Sequence, residues 1–147
     1  MFVAEVMDRI EDQLPELAHR VHGAADLARL MAKGSAPQVT PAVHVLPGGI
    51  RGQRDGEGAL ALGMFRQAVR RIVSVVLTVR VHDALGARAL DTLDTLIDRL
   101  VAAVCGWQPE PAPGPFYLVS ARVLSLTGGA LSYQIDFQLS DEMRISP

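Results

Sequence analysis

Apolar and polar positions change their period several times along this chain, and each change marks an element. From Phe65 to His82 the period is two. Phe65, Val69, Val73, Val75, Leu77, Val79 and Val81 share one parity, and Arg66, Arg70, Ser74, Thr78, Arg80 and His82 share the other. That alternation predicts a strand with one buried face and one half-wet face. Ile72 and Val76 fall on the polar parity, so the second face is expected to be partly covered as well. At about 3.3 Å per residue the segment would span roughly 60 Å, more than the width of a small domain. Either it bends, or its first part pairs outside the main sheet.

Helical spacing governs three other segments. Val3, Val6, Met7, Ile10, Leu14 and Leu17 predict a helix over residues 2–19, and Pro15 demands a kink or a break within it. Ala24 to Lys33 predicts a second helix with Leu27, Leu30 and Met31 as its stripe and Gly34 as its stop. Ala87 to Cys105 predicts the longest helix, with a stripe of Leu90, Leu93, Ile97, Leu100, Val101 and Val104. Gly106 suits its C-terminal turn, and Pro109 prevents continuation. Val43 to Leu46 reads as a short strand, with Pro41 and Pro47 at its ends or at a sheet edge, because proline cannot donate to a ladder. Phe116 to Leu126, the turn Gly128-Gly129 and the alternation Leu131, Tyr133, Ile135, Phe137, Leu139 predict a closing hairpin.

The order α-α-β-β-α-β-β predicts one α+β domain over residues 1–147, a mainly antiparallel sheet with helices packed on one face. A parallel pairing of the Phe65 and Phe116 strands through the intervening helix is the alternative local arrangement. Residues 48–64 hold Gly48, Gly49, Gly52, Gly56, Gly58 and Gly63 and little periodicity, so a long mobile arm is expected there. Its charged residues Arg51, Arg54, Asp55 and Glu57 are candidates for contact with a partner. Residues 141–147 are expected to form a loose tail.

Composition narrows the function. The net charge of −2 argues against general affinity for nucleic acid, although a local basic strip is compatible with it. The single cysteine, Cys105, excludes an intramolecular disulfide and is expected to be a buried, inert thiol. No basic n-region with a long apolar run opens the chain, so no signal peptide is expected, and no segment has the roughly 18 apolar residues of a membrane helix.

Candidate chemistry is sparse. His19, His22, His44 and His82 do not form a zinc pattern, and no HExxH, paired CxxC, GxxxxGK[ST] or GxGxxG motif occurs. No catalytic, cofactor-binding or metal-binding residues are therefore assigned. Asp91, Asp94 and Asp98 would suit acid–base work as carboxylates, but a solvated helix face accounts for them. Arg66, Arg70 and Arg80 share one strand face, and with the three aspartates they are candidates for a charged interface. Trp107, the only tryptophan, is expected to plug the edge of the core.

Three stretches carry a family likeness: Pro41-Ala42-Val43-His44-Val45-Leu46-Pro47, the strand segment Gln67 to Val76, and the helix end Leu100 to Cys105 followed by Gly106-Trp107-Gln108-Pro109. Together with the element order to about Leu139, they resemble the tail terminator, or tail completion, proteins of long-tailed bacteriophages and phage-like tail particles. The resemblance implies a non-enzymatic virion protein without cofactors. It implies a ring, usually hexameric, that is assembled in the host cytoplasm and caps the head-proximal end of the tail tube. Its implied partners are its own copies, the tail tube protein and a head-completion or connector protein, with DNA passing through the lumen without sequence-specific binding. The alternatives are another neck or head–tail connector subunit, or an enzyme or small-molecule binding module.

Overall fold

A computed structural model describes residues 2–53, 59–61, 63–81, 87–127 and 129–146. Helix α1 covers Val3–Gln13 and ends before Pro15, whose ring forces a break into a 3-10 turn at Pro15–Leu17. Strand β1 (Val21–His22) and helix α2 (Ala24–Ala32) follow. Then come β2 (Ala42–Gly52), β3 (Ala59–Ala61) and β4 (Met64–Arg80). Helix α3 spans Ala87–Val104, and β5 (Tyr117–Thr127) and β6 (Ala130–Ile145) close the chain. The result is an α+β fold built on one sheet.

The sheet runs β1-β2-β4-β6-β5, with β3 on β4 beyond the end of β2. Every pairing is antiparallel except the two-residue β1–β2 contact. Strand β6 lies between β4 and β5, so the two strands flanking α3 do not pair with each other, and the parallel alternative is replaced by a hairpin that inserts its second strand. A parallel bridge between Cys105 and Phe116 instead ties the end of α3 to the start of β5. Cys105 itself is half-buried rather than fully enclosed.

Two faces follow from the register. Val43, Val45, Val73, Val75, Leu77, Val79, Leu131, Ile135, Phe137 and Leu139 point to the core face. There α1 contributes Val6 and Ile10, and α3 contributes Leu93, Leu96, Leu100, Ala103 and Val104. Leu96 belongs to the buried stripe, whereas Leu90 turns outward at 52% exposure. Helix α2 departs from the expected one-face arrangement. It buries none of its residues in the core and lies over the opposite face, where Leu27, Leu30 and Met31 border a groove with Val76, Thr78 and Ser132.

Two segments expected to be irregular are strand instead. Gly48–Gly52 continue β2, and Gly49 to Gly52 pair with Val69 to Ile72 of β4. Asp141–Ile145 continue β6 and pair with Phe65 to Val69. In both cases the long, regular β4 offers a ladder of donors and acceptors that outweighs weak local propensity. Pro47 thus sits inside β2, at a bulge where Gly48 is the extra residue. A Cβ at Gly48 would meet Ile72 Cγ2 at 2.6 Å and Ser74 Oγ at 2.9 Å, so the close approach requires glycine.

Candidate assembly surface

Element lengths set up the site. At about 3.3 Å per residue the 17 residues of β4 reach roughly 56 Å. The 18 residues of α3 reach only about 27 Å, and the 11 of α1 about 17 Å. The helices therefore cover one half of the sheet. Val73 to Val79 of β4 are all buried, whereas from Met64 to Ile72 only Val69 is. Beyond the helices, the first half of β4 stands with the ends of β2 and β6 and with β3 as a projecting wing.

The wing carries arginines on one face. Arg51 of β2 lies directly opposite Arg70 of β4, and Arg66 of β4 directly opposite Arg144 of β6. Like charges directly opposite each other destabilise a sheet. Glu142, two residues before Arg144 on the same face, partly answers the second pair through a 2.7 Å contact. Arg70 is held by a neutral group: Gln53, with its amide oxygen turned to it, accepts from Nε at 2.6 Å and Nη2 at 2.7 Å. Arg71 points to the other face, where Asp141 receives its Nε at 2.6 Å, and this guanidinium holds the Asp141 carboxyl below its ordinary range.

Arg80 does not join this group. Although it shares their parity, it lies ten residues from Arg70, at the opposite end of β4, and its Nη2 donates to the Pro37 carbonyl at 3.0 Å. Asp91, Asp94 and Asp98 are exposed together on the outer face of α3, without an ion-pair partner among the described residues. The neighbouring Arg99 is engaged by Glu16. Arg54, Asp55 and Glu57 lie outside the described residues.

The Gly106-Trp107-Gln108-Pro109 segment forms a corner. Gly106 adopts φ +79°, a conformation that favours glycine, and donates its N–H to the Phe116 carbonyl at 2.8 Å. Phe116 returns a bond to the Trp107 carbonyl at 2.9 Å. The Trp107 ring stacks on Phe116 at 6.0 Å, with the Arg9 guanidinium 5.4 Å from its centroid. Pro109 is buried and accepts from Ala112 through its carbonyl. Pro41 stands immediately before β2.

Strand β5 ends the sheet with a long apolar edge. Tyr117, Leu118, Val119, Val123 and Leu124 are 43–57% exposed. An edge of this kind is a template for pairing with another chain.

The family profile described as phage tail terminator protein matches residues 1–147. The chain belongs to the phage tail terminator family. It is thus a structural protein of a phage-type virion tail. Among solved structures, a chain from "Virion of native gene transfer agent (GTA) particle" is similar to it at 12% identity, covering 96% of this chain and 98% of that one, with a TM-score of 0.47. No curated protein sequence matches.

Of the described histidines of this tail terminator, His22 and His44 come together, with ring centroids 5.6 Å apart; His82 lies outside the described residues. His19 sits in a turn at φ +65°, and His22 is in β1, so the two do not share a helix face. His44 is fully buried on β2, and its Nε2 lies 2.8 Å from Asp26 Oδ2 of α2. That hydrogen bond, with help from Arg29, holds the Asp26 carboxyl down at about 2. His44 Nδ1 has no hydrogen-bond partner among the described residues. No group of three or more metal-ligating side chains occurs among the described residues. On the same sheet face, burial raises the Asp136 carboxyl, but donors from Ser74, Gln134 and Arg122 outweigh it and keep it below its ordinary range.

Sequence reasoning missed Arg144, because it placed that residue in a loose tail. It also missed the Asp26–His44 link and the uncovered edge of β5. The alternation of β6 past Leu139, with Asp141 and Met143 on one parity and Glu142 and Arg144 on the other, was the available signal for the first.

Proposed function

We propose that this chain closes into a ring that caps the head-proximal end of the tail tube, ends tube polymerisation and presents the surface to which the head joins. The observation that carries this reading is the projecting half of the sheet. A monomer gains nothing from a wing of like-charged cross-strand pairs and an uncovered apolar edge, whereas a closed assembly buries both. Ring closure needs heterologous contacts, in which one patch of a subunit meets a different patch of the next. The wing and the outer surface of α3 with β5 are two such distinct patches.

In this reading the ring is hexameric, its partners are the tail tube protein and a head-completion or connector protein, and DNA crosses the lumen without sequence readout. The charged segment Arg51, Arg54, Asp55 and Glu57, which begins on the wing, supplies contacts made on assembly. Assembly takes place in the host cytoplasm. No catalytic step is required.

The test is solution mass together with negative-stain imaging, alone and with tail tubes. The expected result is closed rings that sit at one end of each tube and stop its growth. Rings that bind only connector assemblies would assign the chain to the neck instead. Monomers that neither close nor cap tubes would sink the proposal.

A further inference from the structure

We infer that the arginine face of the wing docks on the aspartate face of α3 in the adjacent copy of this chain. The inference rests on the ring reading and names the contact that would close it. Arg51, Arg66, Arg70 and Arg144 stand on the sheet face opposite α1 and α3, with Glu142 as the only carboxylate among them in the described residues. They occupy three adjacent strands and form a patch rather than a line.

The complementary surface is on the same molecule but cannot reach the patch within it. Asp91, Asp94 and Asp98 face outward from α3, which packs on the other side of the sheet. Their spacing suits the patch. Asp91 to Asp98 spans about 10 Å along a helix, and Arg66 to Arg70 spans about 13 Å along a strand. Both surfaces carry internal repulsion in the isolated chain. Arg51 opposes Arg70, and Arg66 opposes Arg144, across the ladder, while Asp94 and Asp98 are like charges at i,i+4. Juxtaposition relieves both at once. It also lays a helix of one copy against the wing of the next, on the face opposite that copy's own α1 and α3. Because the two patches differ, the contact runs head to tail and suits a ring.

Charge complementarity favours a protein partner over nucleic acid, since the same chain supplies the matching acidic helix. The experiment compares the intact chain with Arg66→Glu/Arg70→Glu, with Asp94→Arg/Asp98→Arg, and with the four changes combined. Oligomer mass is followed against protein concentration, and thermal unfolding checks each variant's fold. Each double variant is expected to raise the concentration needed for assembly about tenfold or more, and the combined variant to recover most of that loss. Double variants that assemble as the native chain does would overturn this contact while leaving the ring standing. An arginine variant that assembles normally but loses salt-sensitive retention on duplex DNA would assign the patch to nucleic acid and also overturn it. A native chain that stays monomeric and caps nothing would overturn the ring, and this contact with it. If a double variant fails to fold, the single changes Arg66→Gln and Asp94→Asn give the same readout at smaller amplitude.

Discussion

The two halves of β4 follow one sequence rule and meet two different fates. Alternation runs from Phe65 to Val81, broken at Gln67, Arg71, Ile72 and Val76, and the pairing with β6 is continuous from Phe65 to Arg80. Yet Val73, Val75, Leu77 and Val79 are sealed under α1 and α3, while Phe65 and Gln67 at the same parity remain half-exposed. The difference lies in what covers the strand. The helices are at most about half as long as the strand they pack on, so the hydrophobic effect stabilises one half within the monomer and leaves the other half uncovered.

Several substitutions would sharpen or break this contrast. The largest effect is expected in the covered half. Phe137 is completely buried between strands and helices, and Phe137→Ala should cost roughly 3–5 kcal/mol in urea unfolding. The equivalent truncation in the wing, Ile50→Ala, acts on a side chain that is 50% exposed and should cost less than about 1 kcal/mol. Equal losses would show that the wing is core.

Next comes the joint between the halves. Gly48→Ala would push a methyl group into Ile72 and Ser74, with an expected cost of about 1–3 kcal/mol. Unchanged stability would mean that the bulge is free to shift. Gly106→Ala acts at the far corner, through the strain of a positive φ rather than through a clash, since nothing lies within 4 Å of the added carbon. About 1 kcal/mol is expected there, measurable by thermal unfolding.

The smallest effect concerns α2, which is held by polar contacts rather than by core burial. The Asp26 carboxyl is lowered from 3.8 to about 2 by its bonds to His44 and Arg29. A carboxyl depressed on folding contributes stability that is present above its unfolded value and is lost as pH falls through its folded one. Amide exchange in α2, corrected for intrinsic rates, should therefore quicken between about pH 4 and 2 in the native chain. Asp26→Asn should show quicker exchange already at neutral pH and a flatter acid response. A native α2 that is insensitive to acid would remove the link as its anchor.

How far the sequence reveals this fold depends on where the deciding interactions lie. The C-terminal end of α3 was legible because Gly106 and Pro109 are local signals, and β4 was legible because its alternation is long. The strand at Gly48–Gly52 was not, because its glycines and arginine carry loop propensity and only the partner strand organises them. Strand β1 is two residues long and exists through its pairing with Val43 and His44. The amphipathic stripe of α2 named a buried face without saying which side of the sheet it would meet, and Met31 ends 71% exposed. The candidate surface was half visible. Arg66 and Arg70 announce a shared face by parity, but their neighbours Arg51 and Arg144 come from strands whose register is set by tertiary pairing. Arg80 shares the parity and is spent on the Pro37 carbonyl instead.

The most direct test is hydrogen exchange of the backbone amides, read on the dissociated chain and on the assembled particle. The account predicts that Val73 to Val79 are equally protected in both, while Met64 to Ile72 and Asp141 to Ile145 exchange faster in the dissociated chain and gain protection on assembly. Wing amides that are as protected in the dissociated chain as those of the covered half, with no change on assembly, would contradict it.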